Sequence, residues 1–195
     1  TLGERFAVQA ARESWRRAGS RVPMDRVALV LGTMGEIGGR VDAYAERVAR
    51  ALGIEGPRLT VSTGCTSGAD AIGLGLDLLR AGACDAVITG GVDELTKGLF
   101  AGFSALGVLS EAPCAPFSEP PGTTLGEGAG FVVLERGAAA FHLRGYGLSS
   151  DAHHATTPDP RGGGVERAIR GALADAALGP DAIGYVNAHA TGTAT

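Results

Sequence analysis

Lysine is nearly missing from this 195-residue chain: Lys97 is the only one, and arginine supplies the rest of its 17 basic residues. With 21 acidic residues the formal net charge is -4, and the isoelectric point is near 5.5. That balance lacks the basic footprint of nucleic-acid binding, so no nucleic-acid partner is expected. Long apolar runs are also missing, since the most hydrophobic stretch, 99–109, is about half the roughly 20 residues a membrane helix requires. No membrane partner is expected. Cysteine is scarce and odd in number, with Cys65, Cys84 and Cys114 and no C-x-x-C pair. This disfavours a disulfide framework and a zinc site and points to a reducing, cytoplasmic setting. The chain opens Thr-Leu-Gly-Glu-Arg, with no initiator methionine and no basic-then-apolar leader. No targeting segment is expected, and the start reads as a truncation.

Glycine, in contrast, is abundant: 32 residues against the roughly 14 that average usage would give. Close backbone approaches and positive-φ turns are therefore expected. With 45% hydrophobic and 19% charged residues and a mean hydropathy of +0.14, the chain reads as a globular unit able to bury a core.

Periodicity predicts helices over 5–18, 41–52, 65–80, 97–106 and 164–178. Short apolar runs predict strands over 26–31, 59–63, 85–91, 130–135, 141–148 and 183–188. Gly53 and Gly82 are placed as C-caps. Strands alternating with helices indicate an α/β fold, with a largely parallel sheet covered on both faces.

The sharpest local feature is VSTGCTSGADAIGLGLDLLRAG, where a β-type run stops at Gly64 and a helical pattern starts with Cys65. A cysteine at a helix N-terminus sits where the helix dipole stabilises thiolate, which suits a nucleophile. Gly64 and the small Thr66, Ser67 and Gly68 permit a tight elbow. From position alone, a buried structural cysteine is an equal reading. Cys84 and Cys114 lack this context and read as structural. In IGYVNAHATGTAT, a predicted strand runs into His189 and the alternating Thr191 and Thr193. A histidine there can act as acid, base or hydrogen-bond donor. Taken alone, it reads more readily as a surface-loop histidine. Asp151, His153 and His154 form a satisfied loop in this reading, with no zinc-ligand spacing, and His142 is structural. GEGAG precedes its strand instead of opening a helix, and GTMGEIGG lacks both the dinucleotide order and a P-loop lysine, so a nucleotide-binding module is disfavoured.

Taken together, VSTGCTSGADAIG, DAVITGGVDE, AGFSALGVLS, LGEGAGFVVLE, GYGLSSDAHHATTPDP and VNAHATGT resemble, in content and order, the β-ketoacyl synthases, the condensing enzymes of fatty-acid and polyketide synthesis. The resemblance implies a thiolase-like α-β-α-β-α layered sandwich. It divides the chain into an N-terminal ketosynthase half (1–140) carrying the nucleophile elbow and the start of a C-terminal half (141–195). It also implies a homodimer, or a heterodimer with a related subunit, formed through the strand ahead of the nucleophile. Cys65 would take an acyl chain from the phosphopantetheine thioester of an acyl carrier protein, and no further cofactor is expected. His189 would hydrogen-bond the malonyl thioester as decarboxylation develops enolate charge. Thr191 and Thr193 match threonines that contact the pantetheine arm, and Phe103 an aromatic near the acyl pocket.

Several features depart from the family pattern. The second active-site histidine, a lysine and a glycine-rich oxyanion loop have no counterpart in this chain, and the segments after Glu135 and after Gly39 are short. An incomplete portion of a longer chain is expected. PFSEPPGTTLGEGAG replaces an aspartate-rich segment, Ala190 replaces a glycine, and Gly107 stands where a basic residue is common. The cysteine block lacks the DTACSSS form of modular synthases, which points to a discrete enzyme. The alternatives are a non-catalytic chain-length partner subunit, which usually lacks the cysteine, and a thiolase-like acyltransferase using coenzyme A.

Overall fold

Helix α1 (Leu2–Ala18) starts ahead of its apolar periodicity because capping groups extend it. The Thr1 hydroxyl accepts the Glu4 N–H at 3.2 Å, and the Glu94 carboxylate accepts the Gly3 N–H at 2.8 Å. Two N–H groups orphaned at a helix start are thereby satisfied. The Gly3 N–H in turn holds the Glu94 carboxyl below its ordinary range. The computed structural model describes residues 1–117, 119–154 and 156–193. They divide into two compact units, not the single one that chain length suggests: Thr1–Glu94 with Glu127–Leu143, and Leu95–Gly126 with Arg144–Thr195.

The first unit contains β1 (Val27–Gly32), α2 (Ala43–Leu52), β2 (Arg58–Val61), α3 (Ser67–Arg80), β3 (Ala86–Asp93) and β4 (Gly128–Glu135). The strands form one sheet in the order β2-β1-β3-β4. β1 pairs parallel with both β2 and β3, and β4 closes the far edge antiparallel to β3. The β1–α2–β2 crossover steps one way across the sheet, and β2–α3–β3 steps back over β1. Two crossovers of one hand that travel in opposite directions must cover opposite faces, and the packing follows this rule. Val27, Leu29, Leu31, Ala86 and Ile88 meet Ala7 and Ala11 of α1 and Tyr44, Ala45 and Val48 of α2. Ala28, Val30 and Val87, on the other face, meet Ala71 and Leu79 of α3 together with Cys84. Because β1 is buried along its whole length, it reads as a continuous apolar run without alternation.

At the opposite end of the sheet from the α3 N-terminus, Asp85 ties three elements together. Its carboxylate takes Arg26 Nε at 2.9 Å and Arg136 Nη2 at 2.8 Å, and the Arg26 hydrogen bond leads in holding its pKa below the usual carboxylate value.

The second unit contains α4 (Lys97–Ala105) and α5 (Gly163–Asp175). Here the expected strands over 141–148 and 183–188 are corrected: among the described residues neither is a strand. An apolar run becomes a strand only with a ladder partner, and neither run has one. Instead the chain around Gly145 and Gly147 lies so close to α5 that a Cβ on either would stand 2.5 or 2.3 Å from the Ala172 or Ala168 carbonyl oxygen. Leu148, Tyr185 and Val186 are left exposed, as are Val165 and Ile169 on α5. Among the described residues, every fully buried large side chain lies in the first unit. Among the described residues no helix is long and apolar enough to cross a membrane.

Candidate active site

The predicted helix start at Cys65 divides in two: Gly64–Thr66 forms a 3-10 turn, and α3 proper follows from Ser67. Gly64 has φ +72° with open space where a Cβ would stand, so glycine is required there by backbone conformation and not by crowding. Hydrogen bonds hold the turn on both sides of Cys65. The Thr63 N–H donates to Ser67 Oγ at 2.9 Å, and Ser67 Oγ donates to the Gly64 carbonyl at 2.6 Å. Thr63 and Thr66 both donate their hydroxyls to Asp70 Oδ2, at 2.5 and 2.7 Å. An acid in the first turn of α3 also complements the helix dipole.

Three glycines missed as a group in the sequence seat this elbow on the sheet. Gly32 ends β1 and is in register with Gly91 of β3. A Cβ on Gly32 would lie 2.2 Å from the Ser67 carbonyl oxygen and 2.6 Å from the Gly68 nitrogen, and one on Gly91 would be 3.4 Å from Gly68 Cα. The α3 N-terminus therefore sits in a hollow made by missing side chains. Gly68 is legible in the elbow motif, whereas nothing in the sequence beyond the glycine excess ties Gly32 and Gly91 to it.

Cys65 is the one exposed thiol of the three free cysteines. Cys84 is fully buried, and that burial pushes its thiol pKa up, which suits an inert structural residue. Cys114 is half-buried and donates to the Thr191 carbonyl at 3.2 Å. The GTMGEIGG turn is held by a carboxylate from the end of β3: Asp93 Oδ1 accepts the Met34 N–H at 2.8 Å, the Gly35 N–H at 3.2 Å and the Thr33 hydroxyl at 3.1 Å. Those donors are spent on a protein carboxylate, consistent with rejecting a phosphate site there. GEGAG runs into β4, a strand.

His189, Thr191, Thr193 and Phe103 belong to the second unit. His189 is exposed. Ala190 after it has φ +45°, a left-handed conformation that glycine, its counterpart in the resemblance, adopts without strain. Thr191 and Thr193 are brought together, their hydroxyl oxygens 2.8 Å apart. Phe103 is half-buried on α4, whose N-terminus is capped by the Thr96 hydroxyl accepting the Leu99 N–H. The loop expected to be satisfied is so: Asp151 accepts the Asp159 and His153 N–H groups, which hold its carboxyl below the ordinary range. His154 Nδ1 accepts the Thr156 and Thr157 N–H groups, each at 3.2 Å. His142 is exposed in an irregular segment of the first unit. Among the described residues no group of three His, Cys, Asp or Glu side chains is placed to hold a metal ion.

An elbow cysteine and a threonine-bracketed glycine loop can be compared with known proteins. The chain is 42% identical over 165 residues to Nodulation protein E of Rhizobium leguminosarum bv. trifolii, covering 80% of this chain and 41% of that protein. It is 39% identical over 167 residues to 3-oxoacyl-[acyl-carrier-protein] synthase 2 of Staphylococcus aureus, covering 78% and 41%. The chain thus spans less than half the length of these curated relatives. A solved ketosynthase, ApeO, in complex with its chain length factor ApeC from Xenorhabdus doucetiae matches with a TM-score of 0.90 at 32% identity, covering 100% of this chain and 56% of that one. Residues 37–140 match the family model for the beta-ketoacyl synthase N-terminal domain, and residues 140–195 the model for the C-terminal domain. With more than half of its length matched by the first of these models, and with thiolase-like ketosynthases as its structural neighbours, the chain belongs to the β-ketoacyl synthase family.

Proposed function

We propose that this chain carries the acyl-accepting part of a β-ketoacyl synthase that condenses an acyl group with malonyl units in fatty-acid or discrete polyketide synthesis. The observation that carries the reading is Cys65: the exposed thiol of the three, on a positive-φ elbow at the head of a 14-residue helix. The Cys65 thiolate attacks the carbonyl of an acyl thioester on a carrier's phosphopantetheine arm. The tetrahedral intermediate collapses by breaking the bond to the pantetheine sulfur, which leaves as thiolate and takes up a proton. His189 donates a hydrogen bond to the malonyl thioester oxygen, stabilising the enolate formed as carbon dioxide leaves. The enolate carbon then attacks the acyl-Cys65 carbonyl and expels the Cys65 thiolate, so the nucleophile is regenerated. Thr191 and Thr193 take the arm's amides, and Phe103 borders the acyl chain. No cofactor is needed beyond the arm that carries the substrate.

The partners follow from the same reading: an acyl carrier protein, and a second subunit of ketosynthase type, either a copy of this chain or a relative. β2 supports the second of these, because it is an edge strand whose Leu59 side chain is exposed and an unpaired edge invites strand addition. Free thiols at all three cysteines fit a cytoplasmic setting. A boundary near residue 140 separates the two ketosynthase halves.

The test is intact mass after incubation with acyl carrier protein thioesters. One acyl group is expected on the wild type, localised to Cys65 by peptide mapping, and none on Cys65→Ala. Acylation that survives in Cys65→Ala, or no acylation of the wild type, overturns the assignment.

A further inference from the structure

The Thr191–Thr193 loop is gripped from below by residues that the reaction itself does not call for. Gly192 is buried, and its carbonyl accepts the Gly122 N–H at 2.6 Å. A Cβ on Gly192 would lie 2.6 Å from the Gly122 carbonyl oxygen and 2.8 Å from Cys114 Sγ, and the residue has φ +79°. Cys114 adds a second tie by donating to the Thr191 carbonyl at 3.2 Å. Gly122 is itself fixed: its own Cβ would lie 2.7 Å from that of Ser110. Next to it, Ser110 and Thr123 are joined by the Ser110 N–H to the Thr123 carbonyl at 2.9 Å, and the Thr123 N–H reaches the Val108 carbonyl at 2.8 Å. The backbone between the two paired hydroxyls is thus anchored, through Gly122 and Cys114, to one loop in the same unit.

We propose that Gly122, Gly192 and Cys114 form a clamp that positions the Thr191 and Thr193 hydroxyls for the pantetheine arm, a positioning role that deepens, and rests on, the reading given above. An arm with two amides offers donors and acceptors at fixed spacing, so two hydroxyls can serve it only if their separation and direction are set beforehand. Side chains alone do not set them here. The tight Gly192 contacts leave the loop backbone little freedom, and the Cys114 thiol fills the space a larger residue at 192 would need.

The clamp predicts a dependence on substrate form. Acylation of Cys65 in the purified protein is followed with two donors, an acyl-pantetheine thioester and the S-ethyl thioester of the same acid, which lacks the arm. Cys114→Ala is expected to raise the half-saturating concentration of the pantetheine thioester about five- to tenfold, the scale of one hydrogen bond, with the limiting acylation rate little changed. The S-ethyl thioester should react as with wild type. Cys114→Ser, which keeps a donor, should recover most of the loss, and Gly192→Ala should reproduce it more severely. Equal losses with both thioesters would reveal general structural damage and overturn the positioning role. A wild type that prefers the pantetheine thioester while Cys114→Ala and Gly192→Ala match it overturns the clamp alone. A wild type that takes both thioesters with one half-saturating concentration overturns the arm-binding role of the threonines, and the clamp with it.

Discussion

The Thr89 hydroxyl lies fully buried in the middle of β3, and among the described residues it has no hydrogen-bond partner. A buried hydroxyl left unpaired costs its desolvation free energy without return, and valine has nearly its shape. Thr89→Val is therefore expected to stabilise the protein by about 1 kcal/mol, read as a higher urea midpoint with an unchanged slope. A lower midpoint would mean that the hydroxyl is satisfied. At this scale the sequence is uneven as a guide. Cys65 could be singled out because a strand stopping at glycine and a helix starting at once are both written in local pattern. Cys114 was read as structural, and its tie to Thr191 joins residues 77 apart in the chain, a relation no local pattern carries. Gly68 is marked by its place in the elbow motif, but Gly32 and Gly91 are hidden for the same reason as Cys114, since their closeness to Gly68 shows only where three elements meet.

Among the elements, the position of α3 depends most on what is missing. Gly32→Ala would drive a methyl group to 2.2 Å from the Ser67 carbonyl oxygen, backbone that cannot rotate out of the way. The expected cost is about 1–3 kcal/mol or more, together with loss of acyl loading as the elbow shifts. Gly102→Ala on α4, where a Cβ would meet nothing within 4 Å, serves as the comparison and should be neutral or slightly stabilising. Thermal unfolding and adduct formation by mass measure both, and equal effects in the two variants would contradict the packing argument. The helices and the four sheet strands were legible because their periodicity and glycine stops are local: α2 ends at Gly53, as expected, with φ +74°. The strands expected at 141–148 and 183–188 were not, because apolar composition says nothing about whether a neighbouring strand is there to pair. The start of α1 lies ahead of its apolar periodicity because it is set by caps instead: a local one, the Thr1 hydroxyl on the Glu4 N–H, and a distant one, Glu94, 91 residues away from Gly3.

On the scale of the whole molecule, α/β character was readable from the alternation of elements. The concentration of the core in one unit was not, because burial depends on which faces find cover. Within that unit the sheet parts two clusters, with Val48 of α2 on one side and Leu79 of α3 on the other. Neither residue belongs to the other's cluster. Val48→Ala and Leu79→Ala should each destabilise by about 2 kcal/mol or more, and the double variant should equal their sum within about 0.5 kcal/mol. A larger deviation, measured by denaturant titration of all three variants, would show strain crossing the sheet. The consequence concerns how such a chain can change. A sheet that insulates its two faces lets substitutions accumulate on the α1 and α2 side without retuning α3 and the Cys65 turn ahead of it. Epistasis should then fall into two blocks divided by the strands, with α3 evolving under its own constraints.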